Sequence, residues 1–321
     1  MTEAIAVVES KAIAPVQDWD VLQMLLEDHR SPNTRRAYEQ DLRLFFAWWL
    51  DEDPHPEAIA HWLSLPQSEA IAVVLRWKAS MRDRGLAEAT INRRLAALKS
   101  LVRFSRRLGR CNFSLEDVKG DRVQSYRDTT GTTPERFREL LSLPNRQTAK
   151  GARDYAILRL LWENALRRSE VVQTRVQDLE QGDRRLWILG KGKGRQRQPV
   201  SLSVEMVQAL QTWLSFHPDP EPEQPLFTAL DRSSYGQPLS SQAVYLLVKR
   251  SAEAIQLGKR LSPHRIRHSA ITAALDATGG NVRLVQKLSR HSRLETLQRY
   301  DDARQNFQGE CTEHLAKLLS P

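Results

Sequence analysis

At 321 residues, 40% of them hydrophobic, the chain is long enough for two domains and apolar enough to build ordinary cores. Its formal charge of +9, from 48 basic and 39 acidic residues, favours an anionic partner, with nucleic acid the first candidate and an anionic membrane surface the second. The two cysteines, Cys111 and Cys311, form no CxxC pair, which argues against a zinc site and a disulfide framework and fits a reducing cytosol.

The opening Met1–Glu9 has no basic start, and Glu3 and Glu9 flank its short apolar run, so it is not read as a secretory signal. No run of about 18 apolar residues occurs, so no segment is expected to span a membrane. Arginine and lysine are spread along the whole chain. A protein wrapped around a duplex needs that spread, since each neutralised phosphate adds salt-dependent affinity. A solvated basic surface has the same composition.

In chain order, residues 1–17 read as a flexible tail. Asp18–His29 is a short helix with Val21, Leu22, Leu25 and Leu26 on one face. Ser31-Pro32-Asn33-Thr34 opens the next helix. Tyr38, Leu42, Phe45, Phe46 and Trp49 recur on it at helical spacing, which predicts core packing rather than a platform for stacked bases. Two more helices fall at 55–65 and 68–84, separated near Pro66, and Gly85 ends the second. Thr90–Leu108 turns Ile91, Leu95, Leu98 and Val102 inward. Its other faces carry Arg93, Arg94, Lys99, Arg103, Arg106 and Arg107. With almost no acids, it lacks the Glu–Lys pairing of a solvated helix and is expected to lie against DNA phosphates. Residues 18–113 therefore form a helical, DNA-binding domain.

Residues 114–133 are polar, contain Gly120 and Gly131, and read as a linker. Thr133 and Pro134 then cap and start a helix. Helices follow at 135–143, 150–164 and 168–173, and two short strands at 186–189 and 196–202. Between the strands lies the basic turn Gly190-Lys191-Gly192-Lys193-Gly194-Arg195. Helices return at 204–216, 240–257, 264–277, 281–288, 294–299 and 308–319. The fold class is mainly α with a small β-sheet in the second domain, 134–321.

The residues that carry chemistry lie in that second domain. The basic turn is no nucleotide loop, since no Gly-x-x-x-x-Gly-Lys-Ser/Thr pattern occurs. His264 and His268 are one helical turn apart, but the glutamate of a metalloprotease helix is absent. Arg265 and Arg267 would also repel a dication, so no metal is expected. A phosphate suits the cluster better. Pro263 places His264 and Arg267 in a helix's first turn, on one face, where the dipole favours an anion. Glu170, three residues after Arg167, is placed to orient its guanidinium, and an oriented arginine grips two phosphate oxygens at once. Tyr300 alone would be read as a core or interface tyrosine.

Taken in order, these residues resemble the tyrosine site-specific recombinase (integrase) family, to which Cre and the Xer recombinases belong. The resemblance rests on Arg167 within Ala165-Leu166-Arg167-Arg168-Ser169-Glu170-Val171 and on Lys191 in a strand–strand turn. It rests further on His264-x-x-Arg267 followed by His268, and on His291 nine residues before Tyr300. It covers about residues 134–305. More loosely, Ser31–Tyr38 is similar to the opening of the family's core-binding domain. The resemblance implies a two-domain DNA clamp, a SAM-like helical domain plus an integrase-type catalytic domain, working in the cytoplasm.

By that resemblance, Tyr300 attacks the scissile phosphorus, forming a 3′-phosphotyrosine and releasing a 5′-hydroxyl without ATP, metal or cofactor. Arg167 and Arg267 clamp the non-bridging oxygens. Lys191 protonates the leaving oxygen, His264 assists proton transfer and His291 donates a hydrogen bond to the phosphate. Glu170 and His268 support these groups. Thr34, Arg35, Arg93, Arg94, Lys99, Arg103, Lys193 and Arg290 are candidate DNA contacts. Two positions depart from the family, which usually has glycine where Ala165 and Arg290 stand. A homotetramer on two duplexes is implied, with a C-terminal helix bearing Phe307, Leu315, Leu318 and Leu319 docked on a neighbouring protomer. The role is integration or excision of a mobile element, or resolution of plasmid or chromosome dimers. The competing readings are a type IB topoisomerase, a non-catalytic DNA-binding regulator that keeps the fold, and a generic basic nucleoid protein.

Overall fold

The structure, a computed structural model, describes residues 20–51, 53–123, 131–190, 196–291, 294, 297 and 307–319. The expected tail at 1–17, and the helix at 294–299 apart from Leu294 and Leu297, lie outside them. The chain divides into two units, Met1–Tyr126 and Arg127–Pro321.

Among the described residues the first unit contains five helices. Local signals set the starts of its first two. The Asp20 carboxylate accepts the backbone N–H groups of Leu22 and Gln23 and caps α1 (Val21–Asp28). The Ser31 hydroxyl accepts the N–H of Thr34, and Pro32 opens α2 (Pro32–Leu50). α3 (Pro56–Leu63), α4 (Gln67–Asp83) and α5 (Glu88–Arg107) follow, with Gly85 at φ 68° reversing the chain between the last two.

The apolar stripes of these helices meet in one core. Phe45, Phe46, Trp62 and Trp77 are buried there, and Phe45 meets both tryptophans edge-on with ring centroids 5.1 Å apart. Each such pair adds about 1 kcal/mol to the area it buries. The expected core role of the α2 aromatics holds for Phe45 and Phe46, while Tyr38 and Trp49 are only partly buried at its rim.

A linker is expected from residue 114, but Phe113, Leu115 and Val118 are buried in this same core. Lys78 donates to the Lys119 carbonyl at 2.6 Å, and Asp121 is bonded to both Lys78 and Arg82. Asn92 exchanges two hydrogen bonds with the Asp121 backbone, at 2.7 and 2.8 Å. A Cβ at Gly120 would come within 2.4 Å of the Asn92 amide oxygen, so that position needs glycine. Phe113, Leu115 and Val118 fall at intervals of two and then three residues, which follow neither the helical nor the strand period, so the pattern hides this packing in the sequence.

The second unit begins with α6 (Pro134–Ser142), capped by Thr133, and α7 (Ala149–Glu163), capped by Thr148. The short α8 (Arg168–Val172) leads to a three-stranded antiparallel sheet, β1 (Leu179–Glu180), β2 (Arg185–Leu189) and β3 (Arg197–Ser201). Leu186 pairs with Val200, and both face the core. β1 was not expected, because two residues carry no alternation to recognise. The turn after β2 carries Lys191 and Lys193, which lie outside the described residues. Then come α9 (Val204–Leu214), α10 (Ser241–Ala254), α11 (Pro263–Ala277), α12 (Val282–Ser289) and α13 (Phe307–Leu319).

α7 is the core helix of this unit: Ala156, Ile157, Leu158, Leu160 and Leu161 are all fully buried. Trp213 packs below it and donates its indole N–H to the Leu226 carbonyl at 2.7 Å. On α13, Leu315 and Leu318 are 63% and 80% exposed. Among the described residues no single helix is long and apolar enough to cross a membrane.

Candidate active site

Three chain segments converge on one cluster of cations and imidazoles. The first is the turn leaving α7, where Ala165 adopts φ 45° and Arg167 becomes the residue that caps α8. The second is the start of α11. There the Ser262 hydroxyl accepts the N–H of Arg265, Pro263 is the first helical residue, His264 follows in the first turn, and Arg267 opens the second on the same side. The third is the end of α12, where Arg290, at φ 57°, reverses the chain into His291.

Arg267 joins all three. It is only 2% exposed, and its guanidinium donates to the carbonyls of Ala165 and Ser289. Its Nη2 also lies 3.5 Å from His291 Nε2. An arginine with two N–H groups fixed on carbonyls is held rigidly, which an anion site requires.

Arg167 is held by Glu170, as its spacing predicts. The fully buried carboxylate accepts Arg167 Nη1 at 2.7 Å and the Arg167 backbone N–H at 2.8 Å. Burial works to raise the Glu170 carboxyl, but Arg290 and Arg167 overcome it and hold it below the ordinary carboxylate value.

The histidines are packed closely enough to depend on one another. His264 and His268 face each other Nε2 to Nε2 at 2.9 Å, so one ring donates the proton the other accepts. Burial, then the neighbouring His264 and Arg267 charges, push His268 down to about 4. Burial, then Arg267, Arg167 and Arg290, push His291 down to about 4 as well. Both imidazoles are therefore neutral near pH 7. A neutral His291 retains one N–H and adds no charge beside the arginines. Among the described residues, no group of three or more His, Cys, Asp or Glu is placed to hold a metal ion.

Of the expected catalytic set, Arg167, His264, Arg267 and His291 are brought together, with Glu170 and His268 behind them. Lys191 and Tyr300 lie outside the described residues.

Arg290, a candidate DNA contact by sequence, is turned into the protein in this structure. Its side chain is 10% exposed, and its guanidinium donates to the carbonyls of Asn164 at 3.0 Å, Leu288 at 2.7 Å and Ala165 at 3.3 Å. A fourth bond reaches Glu170 at 3.1 Å. The buried carboxylate supplies the counter-charge that draws this guanidinium inward.

The basic helix α5 also differs from expectation, because its acids come from distant segments. Arg93 pairs with the fully buried Asp41, and Arg94, 14% exposed at its side chain, lies 3.8 Å from the same carboxylate. Burial raises the Asp41 carboxyl, against the pull of Arg93 and Arg94. Arg103 pairs with Glu116 at 2.8 Å, and Lys99 donates to the Glu116 carbonyl at 3.5 Å. Arg35 donates to the carbonyls of Glu27 and His29 at the end of α1, and Thr34 is the residue whose N–H Ser31 caps. Asn164 and Ser289 were missed in sequence because they act through their carbonyls, and Gln286 because its side-chain amide donates to a backbone carbonyl, that of His291, at 3.0 Å. The one available signal was the pair of non-glycine residues at Ala165 and Arg290, both of which prove to have positive φ.

Residues 131–306 match the phage integrase family, and residues 21–109 match the phage integrase N-terminal SAM-like domain. The chain belongs to the phage integrase family of tyrosine recombinases, enzymes that cut and rejoin DNA strands. It is 94% identical over 319 residues to a tyrosine recombinase of Synechococcus elongatus, covering 99% of this chain and 100% of that one. A tyrosine recombinase of Synechocystis sp. is 50% identical over 301 residues, covering 94% and 96% of the two chains. The fold is also that of the Tn1549 transposon integrase solved with transposon right-end DNA, with TM-score 0.62, 20% identity, and 94% and 99% of the two chains covered. The XerH recombinase bound to a palindromic difH substrate gives TM-score 0.63 at 19% identity, covering 92% and 85%.

Proposed function

We propose that this enzyme recombines DNA at specific sites through a covalent 3′-phosphotyrosine on Tyr300. The observation that carries the reading is the convergence of Arg167, Arg267 and His291 from three segments, each held by buried or backbone partners. The Tyr300 oxygen attacks the scissile phosphorus, the P–O5′ bond breaks, and the 5′-oxygen leaves with a proton supplied by Lys191. Arg167 and Arg267 stabilise the charge that builds on the non-bridging oxygens. His264, backed by His268, takes the tyrosine proton, and neutral His291 donates its N–H to the phosphate. Rejoining runs the same steps backwards with a 5′-hydroxyl as nucleophile, so the bond energy is kept in the phosphotyrosine.

The helical first unit and the catalytic second unit would grip the duplex as a clamp, in the cytoplasm, with four protomers joining two duplexes through α13. The exposed Leu315 and Leu318 support that contact. Integration or excision of a mobile element and dimer resolution both remain within this reading.

The test is to trap the adduct on a library of duplexes with randomised sites, each nicked so that the cut strand diffuses away. The parent chain should form a protein–DNA adduct that survives boiling in detergent, and Tyr300→Phe should form none. Adduct formation by Tyr300→Phe would remove Tyr300 as the nucleophile. Relaxation of supercoiled DNA lacking any selected site would instead favour a topoisomerase.

A further inference from the structure

We propose that Arg290 is a positioning residue for DNA cleavage. Its buried guanidinium fixes the Glu170 carboxylate and the Asn164–Ala165 turn, so that Arg167 presents its remaining N–H groups to the scissile phosphate. The inference rests on the reading of Arg167 as a phosphate-binding residue.

One guanidinium here serves four acceptors from three places: the carbonyls of Asn164 and Ala165 in the turn after α7, the carboxylate of Glu170 in α8, and the Leu288 carbonyl near the end of α12. Glu170 itself is divided between two arginines. Among the described residues its Oε1 accepts Arg167 Nη1, while Oε2 accepts the Arg167 backbone N–H and Arg290 Nη2. Without Arg290, Oε2 keeps one bond, and the cost of a fully buried carboxylate falls on Arg167 alone. The carboxylate is then held from the Arg167 side alone, so it can shift within the site and the Arg167 guanidinium shifts with it. The turn after α7 would still be tied to the end of α12 by Arg267, which donates to Ala165 and Ser289. The unit therefore keeps its fold while losing the aim of Arg167. Lysine would supply the charge but not the planar fork that spans carbonyls and carboxylate together.

The experiment uses the full chain and the duplex recovered by adduct trapping, with Arg290→Met, Arg290→Lys, Glu170→Gln and the Glu170→Gln/Arg290→Met double variant. Affinity is read by titration and cleavage by single-turnover rate at saturating protein. Arg290→Met should bind within about threefold of the parent and cleave at least about tenfold more slowly, since small misplacements of positioned groups cost that much. Arg290→Lys should fall between. In the Glu170→Gln background, Arg290→Met should add less than about threefold, because the two act as a unit. Parental cleavage by either Arg290 variant, a loss confined to affinity, or a fully multiplied effect in the double variant would overturn the proposal. If Arg290→Met lacks the parent's circular dichroism, Arg290→Lys decides alone. A parent chain that forms no adduct on any duplex would overturn the recombinase mechanism, and this proposal with it. A cutting parent with indifferent Arg290 variants overturns only this one.

Discussion

Arg290 and Ala165 are 125 residues apart in sequence, yet Arg290 Nη2 donates to the Ala165 carbonyl at 3.3 Å, and both residues stand in the left-handed backbone region. An L-residue held there costs roughly 1–2 kcal/mol that glycine avoids. This chain carries that strain at both positions and joins the two sites by a hydrogen bond.

Ala165 tests the strain directly. Glycine would relieve the backbone at φ 45° but remove a fully buried methyl, worth about 0.8 kcal/mol. Ala165→Gly should therefore change stability by less than about 1 kcal/mol. Ala165→Val, β-branched and in the same packed site, should destabilise by more than about 2 kcal/mol. Urea unfolding of the full chain measures both. An Ala165→Val variant as stable as the parent would mean that the turn relaxes freely.

Glu170→Ala should be far more damaging than Glu170→Gln. Removing the carboxylate leaves two guanidiniums near each other in a buried site, at a cost of about 3–5 kcal/mol, whereas glutamine keeps one acceptor. The same pair predicts a pH effect. Glu170 is held below its ordinary value of 4.5, so its stabilisation is complete above that value and is lost as pH falls through the lower folded value. Stability curves of the parent should show an acid limb below pH 4.5 that Glu170→Gln weakens. Identical limbs in the two chains would exclude Glu170 as its source.

A second, separate limb comes from the histidines. His268 and His291 are both pushed from 6.5 down to about 4, so between those values the unfolded chain binds protons that the folded chain refuses. Stability should fall as pH drops from 6.5 towards 4. Burial is the main reason they refuse the proton, followed by the charges facing them: His264, Arg267, His291 and Arg265 for His268, and Arg267, Arg167, Arg290 and His264 for His291. His291→Gln should flatten this limb without touching the one below pH 4.5. Melting temperature against pH separates the two, and an unchanged upper limb in His291→Gln and His268→Gln would refute the assignment.

Much of this was legible in sequence because it is local. Ser31, Thr133, Ser262 and their following prolines mark helix starts through bonds three residues long. His264, Arg267 and His268 share a face by helical spacing, and Glu170 reaches Arg167 across three residues. What was hidden depends on groups far apart in the chain. Asp41 lies 52 residues from Arg93, and Arg290 is 120 residues from Glu170. No periodicity reports such a pairing, so a buried arginine and a DNA-facing arginine look alike until the fold is closed.

α5 offers the sharpest check of that distinction. Arg94 lies inside, beside a fully buried Asp41, whereas the Arg103 side chain is 65% exposed and paired with Glu116, itself exposed. A phosphate can displace Glu116 from Arg103 but cannot reach Arg94 without opening the core. Arg94→Met should therefore lower stability by about 1–3 kcal/mol, the cost of weakening the hold on a buried carboxylate. It should leave the salt dependence of DNA binding unchanged. Arg103→Met should barely alter stability, as exposed pairs contribute little. It should reduce the slope of log K against log salt by about 0.9, the value of one phosphate contact. Binding isotherms on the trapped duplex across a salt series read both variants at once. The reverse pattern, a shallower slope in Arg94→Met and an unchanged one in Arg103→Met, would place the DNA on the other face of α5.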